Sequence, residues 1–136
     1  LVVAVTQSGE TADTLSALRR AKRAGARTLA VTNTLGSTVT READDTVFIR
    51  AGPEVGVAAT KTFCSQVATL ALVTVYMGRE RGTISSAEAR ELLSDLRGLP
   101  GAVQQVLDRE EQVRVAAEEY GDGDAFSSSG GGWVPR

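Results

Sequence analysis

Two rhythms of apolar and polar residues run along this chain. Leu1 to Val5 is an unbroken apolar run, the pattern of a strand covered on both faces. From Thr11 to Ala24 the apolar residues fall at Ala12, Leu15, Leu18 and Ala21, a spacing that suits one face of a helix. Arg19, Arg20, Lys22 and Arg23 crowd its last turns, where the helix dipole favours cations, and Gly25 is placed to stop it. Thr28 to Thr32 predicts a second strand, "NTLGST" a loop, Thr38 to Ala43 a short helix, and Thr46 to Ile49 a third strand.

A long helix is predicted from Val57 to Arg79. Phe63, Val67, Leu70, Val73 and Tyr76 make it apolar nearly all round, so it is expected to be buried on more than one side. "RGTISS" breaks it. Ser86 opens a helix over Ala87 to Arg97, with Leu92, Leu93 and Leu96 inward. Pro100 opens the next, to Tyr120, with Val103, Val106, Leu107 and Val113 as its stripe. Residues 121–136 are Gly/Ser-rich and read as a flexible tail, which leaves residues 1–120 as one domain. Strands alternating with helices predict an α/β fold with a parallel sheet. Its three strands form a thin sheet, and the chain starts inside a strand, so it is expected to be a fragment of a larger sheet, incomplete at both ends.

Composition narrows the chemistry. Only 4% of residues are aromatic, so Ala, Val and Leu must build the core. A net charge of −2 offers no basic field for nucleic acid or an anionic membrane. With no histidine, the commonest general base and metal ligand is missing. The single Cys64 excludes an intrachain disulfide, fits a reducing compartment, and reads as a small core residue of the long helix.

The first strand ends in "TQSGET", with three hydroxyls, an amide, a glycine and a carboxylate in six positions. At the carboxyl end of a strand in an open α/β sheet, that is where ligands sit. Gly9 permits a tight turn, the first helix N–H groups lack partners, and Thr6, Ser8 and Thr11 add hydroxyl donors. This is a socket for a phosphate built without lysine. Gln7 suits a sugar hydroxyl or carbonyl. The same residues also fit a plain helix cap by Ser8 or Thr11, with Glu10 or Asp13 countering the dipole. No Walker loop and no dinucleotide fingerprint is present.

These residues carry a resemblance. "LVVAVTQSGETADTLSALRRAKRAGA" resembles the S-Q-S-G-E-T-A-D-T segment of sugar isomerase (SIS) domains, and within them the glucosamine-6-phosphate synthase (glutamine–fructose-6-phosphate aminotransferase) family. "VTNTLGSTVTREAD" and "AGPEVGVAATKTF" match the same family in the same order. The resemblance implies a three-layer αβα sandwich, cut short, and the first of the two SIS domains of an enzyme that makes glucosamine 6-phosphate from fructose 6-phosphate and glutamine. It implies phosphosugar binding by Thr6, where the family usually has serine, and by Gln7, Ser8, Gly9 and Thr11. Val57 would contribute through its backbone, and Ala59 stands where the bacterial pattern has serine.

The family's catalytic glutamate, lysine and histidine lie in the second SIS domain, and its glutaminase is a separate domain. The chain alone is therefore expected to be inactive, with no catalytic residue, cofactor or metal. Lys61 is read as a cation packed along the long helix and pairing with Glu54, and Glu10 as a helix-start carboxylate. A cytoplasmic location and a homodimer through SIS domains are implied, without nucleic acid or membrane. SIS domains also occur as effector-sensing halves of transcription regulators, and in isomerases or deaminases without a glutaminase. "GPEVGVAATKTF" favours the synthase over the regulators.

Overall fold

The computed structural model describes residues 1–55 and 59–121. The described elements are β1 (Val2–Thr6), α1 (Ala12–Arg23), β2 (Thr28–Thr32), α2 (Thr38–Glu42), β3 (Asp45–Phe48), α3 (Lys61–Glu80), α4 (Ser86–Leu107) and α5 (Glu110–Tyr120). The chain divides into two compact units, Leu1–Leu93 and a second that begins at Ser94.

In the first unit the three strands are parallel in the order β1-β2-β3, with Ala4 opposite Ala30 and Val31 opposite Val47. Alternation along the strands puts Ala4 and Ala30 on one face. Leu15 and Leu18 of α1 and Val39 of α2 pack there, forming the core cluster. The small alanines let both helices approach the sheet closely, as the composition requires. Val31, on the opposite face, is also fully buried, and α3 packs against β2. Gly25, at φ +78°, ends α1 where the chain reverses into β2. Outside the core, Arg19 grips Glu42 with two hydrogen bonds of 2.7 and 2.6 Å, tying α1 to α2.

Several sequence expectations change. β1 is not covered on both faces: Val3 and Val5 are each 38% exposed, because α1 shields only the face that carries Ala4 and Thr6. α3 is not buried on more than one side. Phe63, Val67 and Tyr76 stand exposed, and Thr62, Val75 and Gly78 are its buried positions. Cys64 is exposed on this helix and is not a core residue.

Pro100 does not start a helix but lies inside α4. Its neighbours are exposed, so water can satisfy the carbonyl that proline leaves without a partner. The break falls instead at Asp108 and Arg109. In α4 and α5, Leu92, Val103, Val106, Leu107 and Val113 are exposed, so that stripe meets solvent. The start of α4 is closed by a capping box one residue earlier than expected. The Glu88 N–H donates to Ser85 Oγ, and the Ser85 N–H donates to the Glu88 carboxylate. Among the described residues, no helix is long and apolar enough to cross a membrane. The tail, 122–136, lies outside the described residues.

Candidate functional site

The loop after β1 folds on its own hydroxyls. Buried Thr6 accepts the Gly9 N–H at its Oγ1, at 3.1 Å, and Ser8 Oγ accepts the Glu10 N–H at 3.2 Å. Each hydroxyl then has its proton left to donate. Gly9 sits at φ +72°, and a Cβ built there would lie 2.2 Å from Ser37 Oγ and 2.8 Å from Val39 Cγ1. Its carbonyl accepts the Val39 N–H at 3.0 Å, so the turn is pressed flat against the start of α2. The Gln7 carbonyl accepts three donors, the Asn33 N–H and the hydroxyls of Thr32 and Thr34. Its backbone is pinned through the carbonyl.

The helix-cap reading of this loop is not what the structure holds. Thr11 occupies the N-cap position of α1 in an extended conformation, yet no side chain there accepts from the first turn. Those N–H groups carry the positive end of the helix dipole. Glu10 points elsewhere, accepting the Thr38 N–H at 2.7 Å, and Thr38, through its side chain first and its N–H second, holds the Glu10 carboxyl below the ordinary carboxylate range. The one carboxylate of the loop is thus engaged at α2, while among the described residues the first N–H groups of α1 have no side-chain partner.

Of the expected binding residues, Thr6, Gln7, Ser8, Gly9 and Thr11 come together in this loop. Val57 lies outside the described residues. Ala59 is exposed on another segment, directly before Thr60, the N-cap residue of α3.

Lys61 does not pair with Glu54 among the described contacts. Glu54 instead accepts the N–H and hydroxyl of Thr60, at 3.3 and 3.1 Å, and the N–H of Thr62 at 3.1 Å, together with the Thr62 hydroxyl. These bonds, led by the Thr62 hydroxyl, lower its pKa to about 2 from the ordinary 4.5. At the other end of the sheet, Asp44 accepts the Thr28 hydroxyl and N–H, each at 2.8 Å, beside Lys22 at 3.0 Å, and its pKa also falls to about 2. Sequence reading missed Asn33, Ser37, Glu54 and Thr62 as organisers of the site. The only signal was their place in polar stretches just beyond strand ends.

A pH dependence follows. Both carboxylates have folded pKa values below their unfolded ones, so the unfolded chain binds more protons in acid. Their contribution is complete above the unfolded values and is lost as pH falls through about 4.5 toward 2. Thermal melts are expected to show stability falling steeply from about pH 6 to about pH 2.5. In Glu54→Gln the fall should be shallower, and an unchanged slope would exclude Glu54 as a source.

An open parallel α/β sheet with a hydroxyl-rich loop at the carboxyl end of its first strand defines the class. The SIS domain family matches residues 1–76, and the chain belongs to that family. It is 67% identical over 126 residues to a glutamine–fructose-6-phosphate aminotransferase (isomerizing) of Halobacterium salinarum, covering 93% of this chain and 21% of that protein. The aminotransferase of the same name from Thermus thermophilus is 50% identical over 120 residues, covering 88% of this chain and 20% of the relative. Among solved structures, the C-terminal domain of glucosamine-fructose-6-phosphate aminotransferase from Francisella tularensis superposes with a TM-score of 0.84 at 29% identity. That match covers 90% of this chain and 35% of the other. The chain therefore spans about a fifth of the length of these full-length relatives and holds a partial SIS domain of the aminotransferase type.

Proposed function

We propose that this chain is the phosphosugar-binding part of a cytoplasmic glutamine-dependent fructose-6-phosphate aminotransferase, and that its 6–11 loop holds the phosphate of fructose 6-phosphate or glucosamine 6-phosphate. One observation carries the reading: at the carboxyl end of β1, the Thr6 and Ser8 hydroxyls keep their protons and, among the described residues, no side chain caps the first N–H groups of α1, so donors gather there. A phosphate dianion is an acceptor only, so this set matches it. Thr6 and Ser8 would give their hydroxyl protons, and Thr11 its hydroxyl. Gly9 would let the backbone approach, and Gln7 would turn its amide to the sugar. Val57 and Ala59 would meet the sugar from the segment before α3. The relatives' names point to the same substrate class. The exposed Phe63, Val67 and Tyr76 of α3 support pairing with a second SIS unit.

Titration with fructose 6-phosphate, followed by backbone amide shifts, tests the reading. Shifts confined to Gln7–Thr11 and the start of α1 are expected, weaker ones with inorganic phosphate, and none with fructose. A folded chain whose loop amides ignore both phosphate compounds would overturn it.

A further inference from the structure

We propose that Asn33 is a positioning residue that locks the 6–11 loop to the segment Ala51–Glu54, so that the phosphate half and the sugar half of one site keep their spacing. The proposal rests on the phosphosugar reading above. Three strand ends meet at this residue. Its backbone N–H donates to the Gln7 carbonyl, after β1, at 3.2 Å. Its side-chain Oδ1 accepts the Ala51 N–H at 2.9 Å, and its Nδ2 donates to the Gly52 carbonyl at 2.7 Å, both after β3. A short side chain with one donor and one acceptor in a plane is needed for that pair, and asparagine has both.

The bonded backbone is one that needs holding. Arg50 lies at φ +54° and Gly52 at φ +74°, so the chain bends twice through the left-handed region just beyond β3. For a residue with a Cβ, such as Arg50, that conformation is costly and persists only when its surroundings impose it. Beyond Gly52, Glu54 takes over through its bonds to Thr60 and Thr62, fixing the start of α3. The connection therefore runs unbroken from Gln7 through Asn33, Ala51 and Glu54 to Thr60, the residue after Ala59.

The two halves can be separated experimentally. Gln7 stays pinned by the Asn33 N–H and by the Thr32 and Thr34 hydroxyls when only the Asn33 side chain is removed. Asn33→Ala should leave the affinity for inorganic phosphate within about twofold while weakening fructose 6-phosphate about tenfold, the loss of two neutral hydrogen bonds. The Ala51 amide should exchange faster with solvent, and the loop amides should not. Asn33→Asp retains the Ala51 bond but sets an oxygen against the Gly52 carbonyl. It should fold and show a selective loss at least as large as that of Asn33→Ala.

Equal weakening of both ligands would mean general damage to the fold, and unchanged fructose 6-phosphate binding would mean no positioning. Either overturns the proposal. If the unaltered chain binds neither ligand, the phosphosugar reading fails and takes the positioning role with it. Faster Ala51 exchange in Asn33→Ala would then show the lock alone.

Discussion

Gly9→Ala is expected to destabilise the first unit by about 3 kcal/mol or more and to abolish phosphosugar binding. Two costs combine. Alanine at φ +72° sits in the left-handed region, which costs about 1–2 kcal/mol. Its Cβ would also fall 2.2 Å from Ser37 Oγ, 2.6 Å from Ser37 Cβ and 2.8 Å from Val39 Cγ1. Ser37 and Val39 are themselves buried, so neither can swing away cheaply. The loop would have to lift from α2, breaking the Val39 N–H bond to the Gly9 carbonyl and the Thr38 N–H bond to Glu10. Gly25→Ala is the control. Gly25 has nearly the same φ, +78°, but nothing within 4 Å of an added Cβ. It should therefore lose only the backbone contribution, about 1–2 kcal/mol, and leave binding intact. Chemical denaturation of both variants, read beside fructose 6-phosphate affinity, checks this. Equal losses in the two would remove Ser37 and Val39 from the explanation.

Leu18→Ala is expected to cost about 3 kcal/mol, within the range for a leucine lost from a packed core. Leu18 is 1% exposed and lies in the cluster with Ala4, Leu15, Ala30 and Val39. Because the sheet contributes alanines at this layer, Leu15 and Leu18 supply most of the volume between α1 and the strands. A denaturation midpoint that drops with unchanged m-value is the expected reading. A loss below about 1 kcal/mol would mean that the site collapses around the deletion. Binding should weaken only as far as folding does, because the loop is held by Thr6, Gln7 and Gly9 rather than by Leu18.

Much of the fold and the candidate loop was legible in the sequence. The apolar run of Val2 to Val5, the threefold spacing of Leu15 and Leu18, and Gly25 define β1, α1 and its stop within a residue or two. These signals are local, since helix and strand periods depend on near neighbours in the chain. The polar cluster of Thr6 to Thr11 was legible for the same reason: strand, turn and helix start are consecutive.

What the sequence could not decide was set by partners far along the chain. From the sequence Glu10 reads as a helix-start carboxylate countering the α1 dipole, whereas it bonds Thr38, 28 residues away. Gly9 could be read as a turn former, but only Ser37 and Val39 make it irreplaceable. Lys61 and Glu54 are close in sequence and opposite in charge, yet Thr60 and Thr62 offer the carboxylate N–H and hydroxyl donors in the geometry that a helix start provides. Burial of α3 and of the outer face of β1 was overestimated for a related reason. Apolar residues state that a surface can be covered, whereas the cover itself comes from other elements. The sequence by itself determined the local periods, the stop at Gly25 and the hydroxyl-rich loop, because each is a property of neighbouring residues. Only the tertiary structure decided which donors stay open, which carboxylate is drawn away from them, and that Asn33 joins three strand ends, because those outcomes require segments distant in the chain to meet.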